Sequence, residues 1–535
     1  MGSSEDKIVV DVIVVGAGFG GCYALHHLRA QGYSTKVLEA GSGLGGVWHF
    51  NRYPGCRVDS EAPVYQLSLP QAWATFDFKD RYPAREELEN YFGHLDKTLQ
   101  LGKDVIFNAR VARAEYDAGK NTWEFCTQDG LKATGRYAVF ACGTTHKAYI
   151  PEFKKLDEYK GLVIHPSRWP QDVNVKGKKI GIIGQGASAL QIIQDVAKQE
   201  CELTVFIRTP CNAFPMGARS IQESKDEYQE AFDKAKKQSE QGYAIDAFPV
   251  SYHGATAQQR RHHYEQLWAR GGYGVFMSNY YDILLDKEAN GDFYAFWAAK
   301  VRARMSDPVK RDIVAPLKQS QWIGTKRATL ECDYYEMLDR ANVKLVNLKK
   351  TPMTQFCSAG IMVDDAAQPV HELDIVILAT GYDAVTGSLY DTHIHGRDGV
   401  SLQEKWQGGI STFLGLMAPG FPNAFLLYGP QAPTSLVNAP PLLELQVEWV
   451  ARVLEEMKRR GMACIDVRER AAAEWSQKTW AAFNATLSRE TGSWWTGENI
   501  PGKKREPLIW FGGMRGWWRE CERALENWGD FVVDG

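Results

Sequence analysis

Two glycine-rich turns, each at the end of a strand-like apolar run, constrain the fold of this chain more than any other feature. The first run covers 9–15 and leads into the turn GAGFGG at 16–21, after which apolar residues recur at helical spacing. This pattern predicts a βαβ unit. In such a unit Gly16 permits the tight turn, Gly18 lets the backbone approach a pyrophosphate, and Gly21 lets the helix pack closely on the strand.

An acidic residue closes this first unit. The second strand-like run, 35–39, ends in Glu39, which lies 18 positions after Gly21. A carboxylate at this point accepts hydrogen bonds from ribose hydroxyls, and the helix N-terminus favours the charge of a phosphate. The same carboxylate would repel a 2′-phosphate. The first unit therefore predicts a site for FAD.

The same pattern recurs further along the chain. A strand-like run at 179–183 leads into the turn GQGASA at 184–189, and the next run ends in Arg208 and Thr209. Arg208 follows the start of its turn by 24 positions, close to the 23 positions that separate Gly16 from Glu39. Arginine can pair with a 2′-phosphate, so the second unit predicts binding of NADP rather than NAD.

Two such sites in one chain predict an α/β fold with two Rossmann-like dinucleotide-binding domains, for FAD and NADP, and a helical insertion. The runs 138–143 and 374–381 resemble strands at which the chain passes from one domain to the other. Residues 220–322 are rich in charged and aromatic side chains, and we interpret the stripe Phe293, Phe296, Trp297 and Val301 as helix core. The expected boundaries are FAD domain 1–147 and 385–535, NADP domain 148–219 and 323–384, and insertion 220–322.

Composition excludes several classes of protein. The net charge of -3 gives no reason to expect a nucleic acid or an anionic membrane as partner. The ten cysteines are scattered without a C-x-x-C pair, which argues against a zinc site, a redox pair and a disulfide framework. No metal site is expected at His393 and His395 either, because no cysteine or acid cluster supports them.

The N-terminus does not resemble a targeting segment. Acidic residues precede the first short apolar run, which is not typical of a signal peptide. No apolar run reaches the roughly 18 residues that a membrane span needs. We expect a soluble cytoplasmic protein.

Two longer motifs make the resemblance specific. The stretch GGVWHFNRYPGCRVD at 45–59 matches the signature G-G-x-W-x4-[FY]-P-G-x3-D of type I Baeyer–Villiger monooxygenases. The stretch YKGLVIHPSRWP at 159–170 matches their second signature, F-x-G-x3-H-x3-W-P, with Tyr159 in place of the first Phe. The likeness covers nearly the whole chain, and it is strongest to cyclohexanone and phenylacetone monooxygenases.

The resemblance implies a function. Such an enzyme binds FAD tightly, reduces it with NADPH and forms a flavin C4a-peroxide with molecular oxygen. The peroxide attacks a small ketone to give a tetrahedral Criegee adduct, and carbon migration then yields an ester or a lactone. A permanently charged guanidinium suits this chemistry because two negative oxygens develop in a dry site.

Residue by residue, the resemblance assigns Arg327 as the active-site arginine and Asp59 as the carboxylate that holds it. Lys326 matches the lysine that meets the NADP 2′-phosphate, and Trp494 matches a tryptophan on a mobile C-terminal loop that closes over NADP. Ala328, directly after Arg327, stands where the family usually has proline, which could loosen the loop that carries Arg327. The expected FAD set is Gly16, Gly18, Phe19, Gly21, Glu39, Gly46, Val47, Trp48, Asp59, Tyr65 and Val111. The expected NADP set is Gly184, Gln185, Gly186, Ser188, Arg208, Thr209, Lys326, Arg327 and Trp494.

His165 lies in the second signature. By the resemblance this segment links the two domains and is not where oxygen is transferred. We therefore interpret His165 as a residue that organises the linker through hydrogen bonds, rather than as a catalytic base.

Three alternatives remain to be weighed against this prediction. A flavin monooxygenase that oxygenates amines or sulfides would share both turns, but Asp59 and the Trp169-Pro170 ending favour the ketone enzyme. A disulfide reductase would need a C-x-x-C pair. A non-catalytic redox sensor would not need Arg327. The motifs name neither the ketone, whose choice by resemblance involves 431–441 with its unusual Pro441, nor the oligomeric state, for which a monomer is one option.

Overall fold

The computed structural model describes residues 7–221 and 223–534. The acidic residues at the N-terminus, on which the expectation about targeting rested, lie outside the described residues.

In chain order the strands β1 to β20 are Ile8–Val15, Thr35–Leu38, Val105–Ile106, Val111–Asp117, Thr122–Thr127, Lys132–Phe140, Leu162–Ile164, Lys179–Ile183, Glu202–Ile207, Ala213–Pro215, Thr329–Glu331, Val343–Asn347, Met353–Cys357, Gly360–Val363, Val370–Glu372, Ile375–Leu378, Ile394–His395, Ala424–Leu426, Cys464–Val467 and Phe531–Asp534.

Helices occupy much of the remaining described chain. In chain order the α-helices α1 to α16 are Phe19–Ala30, Val47–Phe50, Pro70–Trp73, Arg85–Leu99, Ala187–Val196, Lys225–Lys237, Ala257–Arg270, Gly274–Met277, Lys287–Arg302, Pro308–Val314, Tyr334–Asp339, Gly387–Tyr390, Leu402–Lys405, Ala439–Arg460, Glu469–Asn484 and Met514–Glu526. None of the described helices is long and apolar enough to cross a membrane.

The first sheet is built around β1. Its strand order is β17-β4-β5-β6-β1-β2-β3, and β18 pairs with the carboxyl end of β6. β1 runs parallel to β2 on one side and to β6 on the other, with Val14 opposite both Val37 and Val139. The second half of β1 is buried, as expected for a strand covered on both faces. The turn at 16–21 therefore leaves the sheet where strand order reverses, which is the usual ligand crevice of such folds.

The second sheet repeats this arrangement with five parallel strands in the order β12-β9-β8-β16-β7. β8 is the central strand, and the turn at 184–189 leaves its carboxyl end between β9 and β16. Both predicted βαβ units are present, and the runs 138–143 and 374–381 begin in β6 and β16, the other neighbours of β1 and β8. The predicted α/β class with two dinucleotide-type units is confirmed.

Five helices, α6 to α10, lie within 225–314. On α9 the stripe Phe293, Phe296, Trp297 and Val301 is at most 4% exposed, so the prediction that it forms core is confirmed. Trp297 also donates a hydrogen bond from Nε1 to the Ala213 carbonyl at 2.8 Å. Helix α6 instead packs on α14, so this region contacts elements of both halves of the fold.

Candidate active site

The first turn has two glycines that no other residue could replace. Gly16 has φ +99°, and a Cβ there would lie 2.6 Å from the Ala141 carbonyl oxygen. A Cβ on Gly21 would lie 1.8 Å from the Gly16 carbonyl oxygen. At Gly18 the nearest atom would be 3.7 Å away, on Gly46. The turn is thus packed tightly on the protein side and keeps a bare backbone on the side of the crevice, as a pyrophosphate requires.

One large cavity, about 3100 Å³ including space open to solvent, extends from this turn across the molecule. Of the residues expected to bind FAD, all but Gly21 line this cavity; Gly21 lies behind the turn. Arg327 and Trp494 line it as well. The other residues of the expected NADP set are not among its lining. The lining residues from the FAD set are Gly16, Gly18, Phe19, Glu39, Gly46, Val47, Trp48, Asp59, Tyr65 and Val111.

Glu39 lies at the end of β2 and is 3% exposed. Its Oε2 accepts a hydrogen bond from the Ala17 amide, and its Oε1 accepts one from the Gly41 amide, both at 2.6 Å. Each carboxylate oxygen can accept more than one hydrogen bond. Glu39 is therefore fixed beside the turn by backbone donors and retains acceptor capacity for ribose hydroxyls.

Aromatic side chains form a wall of the cavity. Trp48 donates from Nε1 to the Tyr65 hydroxyl at 3.1 Å, and the Phe19 ring lies 5.3 Å from the Tyr65 ring in an edge-on contact. These three side chains are at most 8% exposed. A rigid wall of this kind can pack against the flat ring system of a flavin.

The second turn is also tight on one side and open on the other. Gly184 has φ +125°, and a Cβ there would lie 2.2 Å from the Ala379 carbonyl oxygen, whereas a Cβ on Gly186 would meet no atom within 4 Å. Gln185 accepts a hydrogen bond from the Tyr334 hydroxyl at 2.5 Å. Helix α5 starts at Ala187, within this turn, and its N-cap is Gly186, so the helix N-terminus lies beside the open side.

Three cations gather beyond this turn. Burial, together with the positive charges of Arg208 and Lys349, lowers the pKa of Lys326. Among the residues that the structure describes, none of the three side chains forms an ion pair. The charge of Glu498 opposes this lowering, but that carboxylate pairs with Arg505 at 2.9 Å. Three like charges that approach in this way are suited to a phosphate, so the site fits the 2′-phosphate of NADP. Lys349, which follows β12, was not predicted from the sequence. Thr209 follows Arg208 on the same loop.

The signature at 45–59 carries the contact between the two units. Gln191 of α5 accepts a hydrogen bond from the Tyr53 hydroxyl at 3.0 Å and donates to the Arg57 carbonyl at 2.9 Å. Gly55 has φ +73°, and a Cβ there would lie 2.7 Å from the Gln191 carbonyl oxygen. The proline-glycine part of the signature therefore allows a close approach of two backbones. Sequence reasoning did not find Gln191.

Arg327 and Asp59 meet in the lining of the large cavity. Arg327 donates from Nη2 to Asp59 Oδ1 at 2.7 Å and from Nε to Asp59 Oδ2 at 3.1 Å, and its Nη1 donates to the Ser435 carbonyl at 2.7 Å. The side chains of Arg327 and Asp59 are 30% and 18% exposed. Two residues 268 positions apart thus form the bidentate pair that the motifs suggested.

The pair stays charged. Burial by itself would raise the pKa of Asp59, but the Arg327 guanidinium and the hydrogen bonds from Arg327 and Tyr273 lower it below its ordinary value. Burial would likewise lower the pKa of Arg327, but the charge of Asp59 raises it well above its ordinary value. Arg327 therefore supplies a permanent positive charge inside the cavity.

Tyr273 is a further member of this cluster. Its hydroxyl donates to Asp59 Oδ2 at 2.7 Å and lies 3.1 Å from the Ala328 carbonyl oxygen, and the Arg327 guanidinium lies 5.5 Å from its ring centre. Sequence reasoning missed Tyr273, although its setting between glycines, in GGYG at 271–274, marks a break in a helical region. The contact with Ala328 ties down the loop in which proline was expected.

The segment before α14 holds the Ser435 carbonyl in place. Tyr428, Gln431 and Ser435 have φ of +58°, +66° and +67°, a region that residues other than glycine seldom adopt. The Ser435 amide donates to the Tyr428 hydroxyl at 3.1 Å. Such strain concentrates at functional sites. Pro441 lies in the first turn of α14, where a missing N–H removes no helical hydrogen bond, which explains how the helix accommodates it.

Trp494 lies at the start of a short 3₁₀ helix whose N-cap is Ser493. Its ring is half-buried and lines the cavity, whereas its neighbour Trp495 is 2% exposed. The same segment contacts the loop that carries Arg327, because the Thr325 hydroxyl donates to Thr491 Oγ1 at 2.8 Å. In this structure the C-terminal segment is therefore docked beside the site.

His165 is 6% exposed and has both ring nitrogens engaged. Nδ1 accepts from the Ser167 amide at 3.3 Å, so the proton lies on Nε2, which donates to the Gly381 carbonyl at 3.0 Å. Burial lowers the pKa of His165, which favours this neutral form. His165 thereby joins its segment to the end of β16. The segment contributes more than a linker, because Leu162–Ile164 is the edge strand β7 of the second sheet.

Comparisons with known proteins agree with this geometry. A family model described as NAD(P)-binding Rossmann-like domain matches 14–78, and one described as L-lysine 6-monooxygenase/L-ornithine 5-monooxygenase matches 73–276. FAD-binding monooxygenase acrE of Aspergillus aculeatus is 39% identical over 99% of this chain and 90% of its own length. Cyclopentanone 1,2-monooxygenase of a Comamonas species is 36% identical over 95% of this chain and 92% of its own length.

A solved structure extends the similarity to the whole fold. A crystal structure of OTEMO in complex with FAD and NADP superposes with a TM-score of 0.93 and 32% sequence identity. The superposition covers 99% of this chain and 100% of that one. The similarity therefore extends over the whole fold.

Proposed function

Because this chain belongs to the type I Baeyer–Villiger monooxygenases, we propose that Arg327 and Asp59 form the catalytic pair with which it converts ketones into esters or lactones. The enzyme uses FAD and consumes NADPH. The observation that carries the assignment of the pair is the bidentate contact at 2.7 Å and 3.1 Å between two residues that line the large cavity.

The bound flavin, once reduced by NADPH, supplies the activated oxygen. The protein supplies charge and orientation. A guanidinium has five N–H groups, of which Arg327 uses two on Asp59 and one on Ser435. Two N–H groups remain for the negative charge that develops on the oxygen of the substrate. Asp59 and the Ser435 carbonyl fix the plane of the guanidinium, so these donors keep one direction.

The two nucleotides are assigned to the two turns. We assign FAD to 1–147 and 385–535 and NADP to 148–219 and 323–384, with 220–322 as the insertion. The cradle at Gly18, the carboxylate of Glu39 and the aromatic wall support the FAD site. The open side of Gly186 and the cations Arg208, Lys326 and Lys349 support the NADP site.

The remaining expected residues keep the roles that the family suggests. Phe19, Gly46, Val47, Trp48, Tyr65 and Val111 would contact FAD, and Gln185, Ser188, Thr209 and Trp494 would contact NADP. The presence of the first six and of Trp494 in the lining of the large cavity supports this assignment.

The ketone reaction is favoured over oxygenation of amines or sulfides. The family model described as L-lysine 6-monooxygenase/L-ornithine 5-monooxygenase matches only 73–276, and that stretch contains neither Asp59 nor Arg327. Cyclopentanone 1,2-monooxygenase and acetone monooxygenase (methyl acetate-forming) of a Gordonia species match over at least 94% of this chain. By analogy we propose a small ketone and molecular oxygen as substrates.

We further propose that the enzyme is cytoplasmic. All ten cysteines are free thiols in the structure, which fits a reducing compartment.

One experiment tests the function. The NADPH-reduced holoenzyme is mixed with oxygen in a stopped-flow spectrometer, with and without a panel of small ketones, and products are analysed after incubation with ¹⁸O₂. We expect the reoxidation spectrum to change with an accepted ketone, and one ¹⁸O atom to appear in the ester. If the reoxidation spectrum is the same with and without every ketone, and no ester is formed, the proposal is refuted and the protein is an oxidase or a redox sensor.

A further inference from the structure

A second cavity, of about 810 Å³ including space open to solvent, lies on the far side of the loop that follows Asp59. Residues 61–64 of that loop line it on one side, and helix α6 and residues 243–245 line it on the other. The loop that presents Asp59 to Arg327 is therefore also a wall of this second cavity.

Tyr243 separates the two spaces. Its hydroxyl forms a hydrogen bond of 2.7 Å with Ser60 Oγ, and Ser60 lines the large cavity, whereas Tyr243 lines the second one. Its ring lies 6.1 Å from the ring of Tyr273, which donates to Asp59. A hydrogen bond between two side chains thus joins the lining of the second cavity to the lining of the cavity that contains Arg327.

The backbone of this wall is anchored, so that an opening would involve the side chain. The Tyr243 amide donates to Ser239 Oγ at 3.1 Å, and the Gln241 carbonyl accepts from the Asn438 amide at 2.8 Å. Gly242, with φ +71°, lies between these anchors. Rotation of the Tyr243 ring would break its bond to Ser60 and change its packing on Tyr273, but the backbone would stay attached to the start of α14.

The charge of the lining selects among ketones. Apart from small and aromatic side chains, the cavity is lined by four glutamates and two cations, a formal balance of two negative charges. Arg81 pairs with Glu61 at 2.6 Å and also with Glu223, and Lys234 pairs with Asp246 at 2.6 Å, so both cations are already neutralised. A ketone that carries a carboxylate would meet uncompensated negative charge here.

We propose that the second cavity is the entry chamber of the substrate, that the Tyr243–Ser60 contact is its inner door, and that the chamber selects uncharged ketones over ketones bearing a carboxylate. This inference rests on the proposed function, since it presumes that a ketone must reach Arg327. It names the substrate class that the motifs and the relatives left open.

The selection is tested with three ketones that share one ring: cyclohexanone, 4-oxocyclohexanecarboxylate and its methyl ester. With the holoenzyme we expect the ester to have a higher kcat/KM than the acid. Glu230→Lys, at the exposed rim of the chamber on α6, should raise the ratio of acid to ester about fivefold, because it replaces repulsion by attraction. Asp226→Lys makes the same change of charge on the same helix outside the chamber and should leave the ratio unchanged.

The door is tested with Tyr243→Phe, which keeps the ring and removes the hydroxyl. Loss of one hydrogen bond should raise kcat/KM for the methyl ester about fivefold. Tyr281→Phe, at a ring that is 62% exposed, serves as the matched control. A wild-type ratio of acid to ester in Glu230→Lys, together with a wild-type kcat/KM for the methyl ester in Tyr243→Phe, would overturn the chamber while leaving the proposed function intact. No ester from any ketone with the wild type would instead overturn the proposed function itself.

Discussion

The Tyr273 hydroxyl donates a hydrogen bond of 2.7 Å to Asp59 Oδ2, the same oxygen that accepts from Arg327 Nε. Asp59 is therefore held from two elements, the loop that carries Arg327 and the start of α8. Since the ring of Tyr273 also faces the guanidinium, one tyrosine fixes both members of the pair.

Removal of this hydroxyl should change the pH dependence of the reaction. The hydrogen bond from Tyr273 favours ionised Asp59, so Tyr273→Phe should raise the pKa of Asp59 and move the acidic limb of the kcat profile to higher pH. We expect kcat at neutral pH to fall about tenfold with little change in KM for the ketone. A profile that superposes on the wild type, with Tyr281→Phe as control, would show that Tyr273 is only structural.

Charge and geometry at Arg327 can be separated. Arg327→Ala should lower ester formation by about 10²-fold or more, because the charge on the substrate oxygen loses its partner. Arg327→Lys keeps the charge but not the bidentate contact with Asp59, and we expect an intermediate loss. Product formation at saturating NADPH is the measurement, and bound FAD, measured by absorbance, is the control. Equal rates in the wild type and Arg327→Ala would exclude the proposed role.

The three cations should set the choice of nicotinamide nucleotide. Arg208→Ala, Lys326→Ala and Lys349→Ala should each raise KM for NADPH about tenfold, since each removes one charged partner of the 2′-phosphate. KM for NADH should change little. Lys350→Ala, next to Lys349 and exposed, is the matched control. If Lys349→Ala behaves like that control, only the two cations expected from the sequence take part.

A buried ion pair joins α6 to α14. Glu444 is fully buried, accepts hydrogen bonds from Ser68, and pairs with Lys236 at 2.9 Å. Lys236→Met would leave the buried carboxylate of Glu444 without this cation. The substitution should therefore lower the free energy of unfolding by about 3–5 kcal/mol. Lys237→Met, at a side chain that is 70% exposed, should cost far less.

The same pair gives a prediction about pH. Burial raises the pKa of Glu444 above its ordinary value, although Lys236 and Ser68 oppose this, and loss of Lys236 would raise it further. Between the ordinary pKa and this raised value the folded state takes up a proton that the unfolded state does not, so stability increases as pH falls. Chemical denaturation should therefore show a smaller deficit for Lys236→Met at pH 5 than at pH 8. An unchanged deficit would contradict this account.

Local patterns in the sequence were sufficient for the fold class and for the two glycine turns, whereas Trp48, Asp59 and Arg327 of the large cavity were predicted from the resemblance to the family. The two turns, the strands that flank them and the apolar face of α9 follow from periodicity and from glycines whose Cβ would collide with backbone, as at Gly16 and Gly184. These features depend on interactions between residues that are close in the chain or on simple burial, so a single sequence contains them.

The partners of the motif residues could not be read in this way. Tyr273, Ser435 and Gln191 contact Asp59, Arg327 and the signature loop across more than 100 positions, and nothing in their own neighbourhoods specifies those contacts. In the sequence nothing distinguishes Lys349 from other exposed lysines. Only the fold, in which Lys349 follows β12, brings its charge near Lys326.

The sequence by itself determined that two dinucleotide units are present and which residues turn tightly at each. Only the tertiary structure decided how the pair Arg327–Asp59 is clamped and that Tyr243 stands between two cavities. The physical reason is the separation along the chain over which each kind of interaction acts. Glycine turns and apolar periodicity act within a few residues, whereas hydrogen bonds and charges act between whichever groups the packing of distant elements brings together.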